Sequence, residues 1–230
     1  MSTWLRNRPG PALSLCAFAL LAAAAGLTFL WVPIDADQGF SQKIFYLHVP
    51  IALTSYACFG WGAWKALRLL WTGEERYDLE SYTAIHIGVM FALMTLVTGS
   101  IWGRFSWGVW WSWGERQLVV FLILTLFYCA YFMLRFSIDA GPRRSRTSAV
   151  YALFGVVLIP ISFLAIRILG TILHPAVFTR EGPQMSGSMF FTFLVSLAGM
   201  VALAFALHQT ELAGKRLDLR LQELRKALAS

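Results

Sequence analysis

Apolar residues in this chain gather into six long runs, at about 12–31, 48–70, 84–101, 117–136, 148–168 and 187–208, divided by short polar stretches. A hydrocarbon layer about 30 Å thick is crossed by roughly 20 apolar residues in helical conformation, so the pattern predicts six membrane-spanning helices. The segments between the runs are too short for a soluble domain, and no internal repeat or low-complexity tract interrupts them. The expected fold is an all-α integral membrane bundle, with a single domain over 1–208 and a basic amphipathic tail over 209–230. In the tail, Leu217, Leu221, Leu224 and Leu228 recur at helical spacing among Lys and Arg. Such a helix lies on a membrane surface, docks on a partner, or serves as a solvated cap. The first run follows Arg6 and Arg8 and reaches AAAAG at Ala22 to Gly26, as a cleaved signal peptide would. Its continuation to Trp31 exceeds an apolar core of about 7–15 residues, which favours a retained span.

Composition agrees with this pattern. Charged residues make up 13% of the chain, against roughly 25% in soluble domains, and that difference excludes an ordinary soluble fold. The net charge of +7 would suit nucleic acid, but in a membrane protein the placement of cations carries the information. With the N-terminus cytoplasmic, that side collects fourteen: Arg6, Arg8, Lys65, Arg68, Arg76, Arg135, Arg143, Arg144, Arg146, Lys215, Arg216, Arg220, Arg225 and Lys226. The other side keeps five: Lys43, Arg104, Arg116, Arg167 and Arg180. The positive-inside bias therefore predicts cytoplasmic termini, with the loop between helices 3 and 4 facing outward, into the periplasm of a diderm bacterium. Cys16, Cys58 and Cys129 lie singly in apolar runs, with no CxxC or CxxCH. They read as packing residues, and the chain carries no covalently attached c-type haem.

The outward loop holds the most unusual stretch, SWGVWWSWGER from Ser106 to Arg116. Trp107, Trp110 and Trp111 stand at i, i+3 and i+4, which in a helical turn puts them on one face, with Trp102 and Trp113 nearby. Aromatic belts at membrane interfaces account for one or two tryptophans at a helix end. Five tryptophans and Phe105 within the twelve residues from Trp102 to Trp113 exceed what a belt needs. Gly103, Gly108 and Gly114 allow close approach, and Arg104 and Arg116 suit carboxylates. A flat conjugated ring with acidic substituents, such as a porphyrin with propionates, fits this set. Haem also needs iron ligands. Of the four histidines, His48 and His174 fall on the outward side and both precede a proline or a Val-Pro pair, in FYLHVPIAL and GTILHPAVF; His86 and His208 fall near the opposite ends of spans three and six. A lone interfacial His is commonly a hydrogen-bonded anchor, whereas two beside an aromatic platform suit a bis-His pair.

These residues resemble a known family. WGVWWSWGER at Trp107 to Arg116 is similar to the tryptophan-rich WGxxWxWD motif of haem-handling membrane proteins of cytochrome c biogenesis. Together with six spans, KIFYLHVP before the second span and the later His, it resembles the cytochrome c maturation protein C (CcmC, haem exporter protein C) family, from about Trp31 to the sixth span. The resemblance implies non-covalent haem b held at the periplasmic face of the bacterial inner membrane. It implies delivery to the haem chaperone CcmE, release by the ABC transporter subunits CcmA and CcmB, and a small helper, CcmD. His48 and His174 match the axial ligand positions. Trp107, Gly108, Trp110, Trp111 and Trp113 fall within the span of the motif, and Arg116 is kept. The acid that closes the motif would fall at Gly114, and the nearest carboxylate is Glu115. The expectation is that Glu115→Gln impairs chaperone loading more than haem binding.

No nucleophile with its base and no GxxxxGK[ST] loop is present, so a non-enzyme is expected, acting by placing its ligand. Rival readings are a permease subunit of an ABC transporter, a b-type cytochrome using His86 and His208, and a scaffold whose loop contacts protein.

Overall fold

The computed structural model describes residues 11–169, 173–174, 177–179 and 181–229, with the backbone alone for 165–169. Arg6, Arg8, Arg180 and the side chain of Arg167, all part of the charge count, lie outside this description, as does the basic segment before the first span. Among the described residues, six helices are long and apolar enough to cross a membrane. Helix α1 (Pro11–Gly26) closes with a π turn (Leu27–Trp31), and a 3-10 turn (Phe40–Ile44) leads into α2 (Phe45–Thr72). Then follow α3 (Arg76–Trp107), α4 (Arg116–Phe136), α5 (Pro142–Leu169) and α6 (Gly187–Ala229). Between α5 and α6, β1 (Phe178–Thr179) and β2 (Gly182–Pro183) form a minimal antiparallel hairpin.

Each of the six apolar runs lies in a helix, and α3, α5 and α6 outrun theirs by six residues or more. α3 begins eight residues before its apolar run because Tyr77, Asp78 and Ser81 find buried partners or positions. α6 continues without a break through the tail, so the Leu-rich stretch from 209 is the end of a spanning helix. Leu217, Leu221, Leu224 and Leu228 are exposed there.

Helices cross closely where one side is glycine, as expected when association depends on van der Waals contact between backbones and side chains. A Cβ on Gly88 would stand 2.7 Å from the Phe59 ring, one on Gly62 2.7 Å from Ile85, and one on Gly155 2.6 Å from Tyr128. Phe59 and Tyr128 stack face to face at 3.9 Å in the core of α2, α3, α4 and α5. α1 packs along α6, with Leu21 against Gly199.

The two ends of the bundle differ. At the end away from the tryptophan loop, charges are paired among the helices. Arg135 of α4 clasps Asp78 of α3 through two bonds of 2.7 and 2.6 Å. Glu80 of α3 takes Lys65 of α2 at 2.8 Å and Arg216 of α6 at 3.0 Å. Such contacts tie α2, α3, α4 and α6 in register. At the loop end the partners are mostly apolar and aromatic, and there the bundle opens.

Candidate functional site

The chain entering α2 is held from below by a buried lysine. Lys43 Nζ donates to the carbonyls of Val32 and Pro33, satisfying backbone groups left by the end of the first span. This places His48, in the first turns of α2, facing α3. His48 is buried, with 9% of its surface exposed. Its Nδ1 is hydrogen-bonded to Thr98 Oγ1 of α3 at 2.9 Å. The ring lies so close to α3 that a Cβ on Gly99 would approach His48 Cε1 to 2.9 Å, which explains a glycine in mid-helix.

α3 stops at Trp107 because Gly108 takes φ 77, a left-handed conformation that glycine adopts without steric cost. From Val109 to Glu115 the chain is irregular. The expectation of one helical face for Trp107, Trp110 and Trp111 is therefore not met: helix termination at Gly108 separates them. Trp107 and Trp111 turn into the molecule, whereas Trp110 and Trp113 are 61% and 73% exposed. Trp111 meets Trp113 edge-on at 5.7 Å, linking the two halves of the loop. Gly103 lets the loop fold back, since a Cβ there would meet Val109 O at 3.1 Å and the Trp107 ring at 3.2 Å.

Inside the loop end lies a partly open cavity of about 320 Å³. His48, Trp102, Trp107, Trp111 and His174 line it together with apolar side chains of α2, α3, α4, α5 and α6. Trp102, from the body of α3 and outside the motif, joins the two imidazoles: its ring centroid is 6.2 Å from His48 and 5.4 Å from His174, the latter edge-on. Trp107 lies 5.3 Å from Trp102 and 6.1 Å from His174. The two histidines expected to act together are thus brought to one cavity by elements far apart in sequence. Trp102 was legible only as a neighbour of the loop; its i, i−5 separation from Trp107 gave no sign of the bridging position.

Glu115 is turned inward and only 1% exposed. Its Oε2 accepts the backbone N–H groups of Leu173 at 2.7 Å and His174 at 3.2 Å. The carboxylate at the start of α4 therefore fixes the segment that carries His174. Its burial is at odds with a direct contact to a docking protein. Gly108, exposed, has a carbonyl that accepts from the Arg104 guanidinium, so Arg104 braces the loop. Arg116 is exposed at the first turn of α4.

At the far end, His86 Nδ1 engages both carboxylate oxygens of Glu211 at 2.8 and 3.0 Å, and Glu211 also pairs with Lys215. His208 Nε2 lies 3.4 Å from the Glu80 carbonyl. These partners account for both histidines as links between α3 and α6. Among the described residues no group of three or more His, Cys, Asp or Glu side chains is placed to hold a metal ion.

Six spanning helices around a cavity that gathers two imidazoles and three indoles define a multi-pass membrane protein with an aromatic, imidazole-bearing cavity at one end. The chain belongs to the haem exporter protein C family, whose model it matches over residues 2–227. It is similar to the haem exporter protein C of Bradyrhizobium diazoefficiens, with 31% identity over 227 residues, 98% of this chain and 86% of that one. The haem exporter protein C of Paracoccus denitrificans is 32% identical over 208 residues, covering 85% of each chain. That of Haemophilus influenzae is 28% identical over 195 residues, covering 84% and 78%.

Proposed function

We propose that this protein handles haem in cytochrome c biogenesis, binding haem b non-covalently in the cavity at the tryptophan-loop end and delivering it to the chaperone CcmE. The observation that carries the reading is the Trp102 indole set against both His48 and His174 within one apolar cavity. Ligand sites are mostly apolar with a few placed polar groups, and imidazole nitrogens from separate elements are one ligand set that completes a six-coordinate haem iron. The residues fit the group in a further respect. Among the described residues the indole N–H groups of Trp102 and Trp111 are buried without a hydrogen-bond partner, a costly state that the acidic substituents of a porphyrin would relieve.

In this reading His48 and His174 are the axial ligands. Trp107 and Trp111 cover the ring, Gly108 sets the turn that admits it, and Arg116 serves a carboxylate. Trp110 and Trp113, exposed on the far side of the loop, form the surface offered to the chaperone. CcmA, CcmB and CcmD complete the assembly, with ATP hydrolysis confined to the ABC subunits. The cation bias sets the loop in the periplasm and both termini in the cytoplasm of a bacterial inner membrane. Bound haem would supply the affinity of its iron for imidazole; the protein would ligate, orient and shield it with no covalent bond of the haem made or broken, a placing role rather than an enzymatic one.

The test is the visible spectrum of the detergent-purified protein titrated with hemin, beside His48→Ala, His174→Ala and a Trp107/Trp111 double alanine variant. The wild type is expected to give a low-spin Soret band that each histidine variant loses or shifts and the double variant weakens. A wild type that takes up no hemin would overturn the reading.

A further inference from the structure

His48 reaches the cavity with one ring nitrogen already engaged, and its partner belongs to no motif singled out in the sequence. Thr98 sits one residue before Gly99, on the face of α3 that meets α2. Its hydroxyl donates to the helical carbonyl of Met94 at 2.9 Å, with Thr95 O second at 3.2 Å. Back-bonding of this kind is common for threonine inside helices. A hydroxyl has one proton and two lone pairs. With the proton directed at the α3 backbone, only a lone pair faces His48 Nδ1, 2.9 Å away. That contact is a hydrogen bond only if Nδ1 carries the hydrogen. A neutral imidazole holds a single N–H, so Nε2 is left with its lone pair. Among the described residues no hydrogen bond engages Nε2, and the ring is one wall of the cavity.

We propose that Thr98 is a positioning residue that sets the tautomer and ring orientation of His48, making Nε2 the nitrogen that ligates haem iron. The proposal rests on the haem reading above. It gives the half-buried helical threonine the part that a carboxylate or carbonyl plays behind other metal-bound histidines: accepting from the distal N–H, it holds the ring and raises the basicity of the ligating nitrogen. Gly99 complements it, because the absence of a Cβ lets the imidazole come close enough for the bond. The pair Thr98-Gly99 is thus a seat for one imidazole, the hydroxyl fixing rotation about the ring axis and the glycine fixing depth. His174 has a support of another kind, its backbone N–H donating to Glu115 Oε2.

Full-length protein in detergent, as wild type, Thr98→Val, Thr98→Ala and Thr98→Ser, would be titrated with hemin. The ferric–ferrous midpoint potential and the ligand-free helical circular dichroism and melting would be measured on the same samples. Valine keeps the shape and removes the hydroxyl; serine restores it. The expected result is a 10- to 100-fold loss of hemin affinity in Thr98→Val and Thr98→Ala, the range found when second ligand-supporting groups are removed. Recovery is expected in Thr98→Ser. A less basic imidazole stabilises ferric iron less, so the potential of whatever haem the valine and alanine variants retain should rise, with ligand-free helicity unchanged. Wild-type affinity and potential in the valine or alanine variant would overturn the proposal. So would a serine variant as weak as valine, since only packing would then be involved. A wild type that binds no hemin would overturn the haem reading itself, an outcome distinct from a wild type that binds and variants that match it.

Discussion

Single residues at this site divide between those that touch the cavity and those that hold them in place. Glu115 belongs to the second group. Its two bonds to the 173–174 backbone are charge-assisted, and hydrogen bonds to charged groups contribute about 1.5–3 kcal/mol each. Glu115→Ala is therefore expected to weaken hemin binding at least tenfold, and Glu115→Gln, which keeps an acceptor but loses the charge, by less. Chaperone loading should fall only in proportion to hemin affinity, reversing the order expected from the sequence. Parallel hemin titrations and transfer assays check this; intact affinity with lost transfer would return Glu115 to a contact role. The sequence flagged the carboxylate because it stood one place beyond the motif's acid, but nothing in its neighbours told that it would point inward. The hydrogen-bond partners are 58 and 59 residues away, and pairings at that separation leave no local periodicity.

At the scale of elements, what was legible followed period and length. All six helices were marked by apolar runs, whereas the ends of α3 and α6 were hidden because polar residues extended them. Asp78 and Glu80 look like loop residues until Arg135, Lys65 and Arg216 come to meet them. The tryptophan loop failed in the opposite way. Its spacing suited a helical face, but Gly108 at φ 77 ended the helix first, and the glycine outweighed the spacing. Because an L side chain in the left-handed region costs about 1–2 kcal/mol, Gly108→Val is expected to lower the melting temperature and to weaken hemin binding by displacing Trp111. Gly141, which also has positive φ but lies at the other end of the bundle, provides the control: Gly141→Val should destabilise without changing hemin affinity in the folded fraction.

Across the whole molecule the two ends have different physical characters. One is bound by ion pairs across α2, α3, α4 and α6; the other is held by aromatic contacts around an open cavity. The clasp of Arg135 on Asp78 is buried, and breaking such a pair leaves an uncompensated charge, so that end is the firm one. α6, with 43 residues and about 65 Å long at 1.5 Å per residue, belongs to both. Phe193 and Leu197 stand in the cavity wall, while the helix runs on past His208 and Arg216 into an exposed segment. Its length is roughly twice the hydrocarbon thickness, so much of it stands in water or headgroups. Sequence alone assigned the tail by composition and could not show its continuity with the span.

The cavity draws its imidazoles and indoles from four stretches of chain: the first turns of α2, the end of α3, the loop beyond it and the segment around His174. A molecule that touches all four can be bound only while they are together, and the unfolded chain offers no equivalent. Occupancy and conformational stability are then thermodynamically linked. Free hemin at a hundred times its dissociation constant should stabilise the folded state by about 2.7 kcal/mol, raising the unfolding temperature of the wild type. His48→Ala, starting from a similar ligand-free temperature, should show a much smaller rise. The cargo, on this account, acts as a temporary strut across the looser end of the bundle, and its departure returns that end to a softer state.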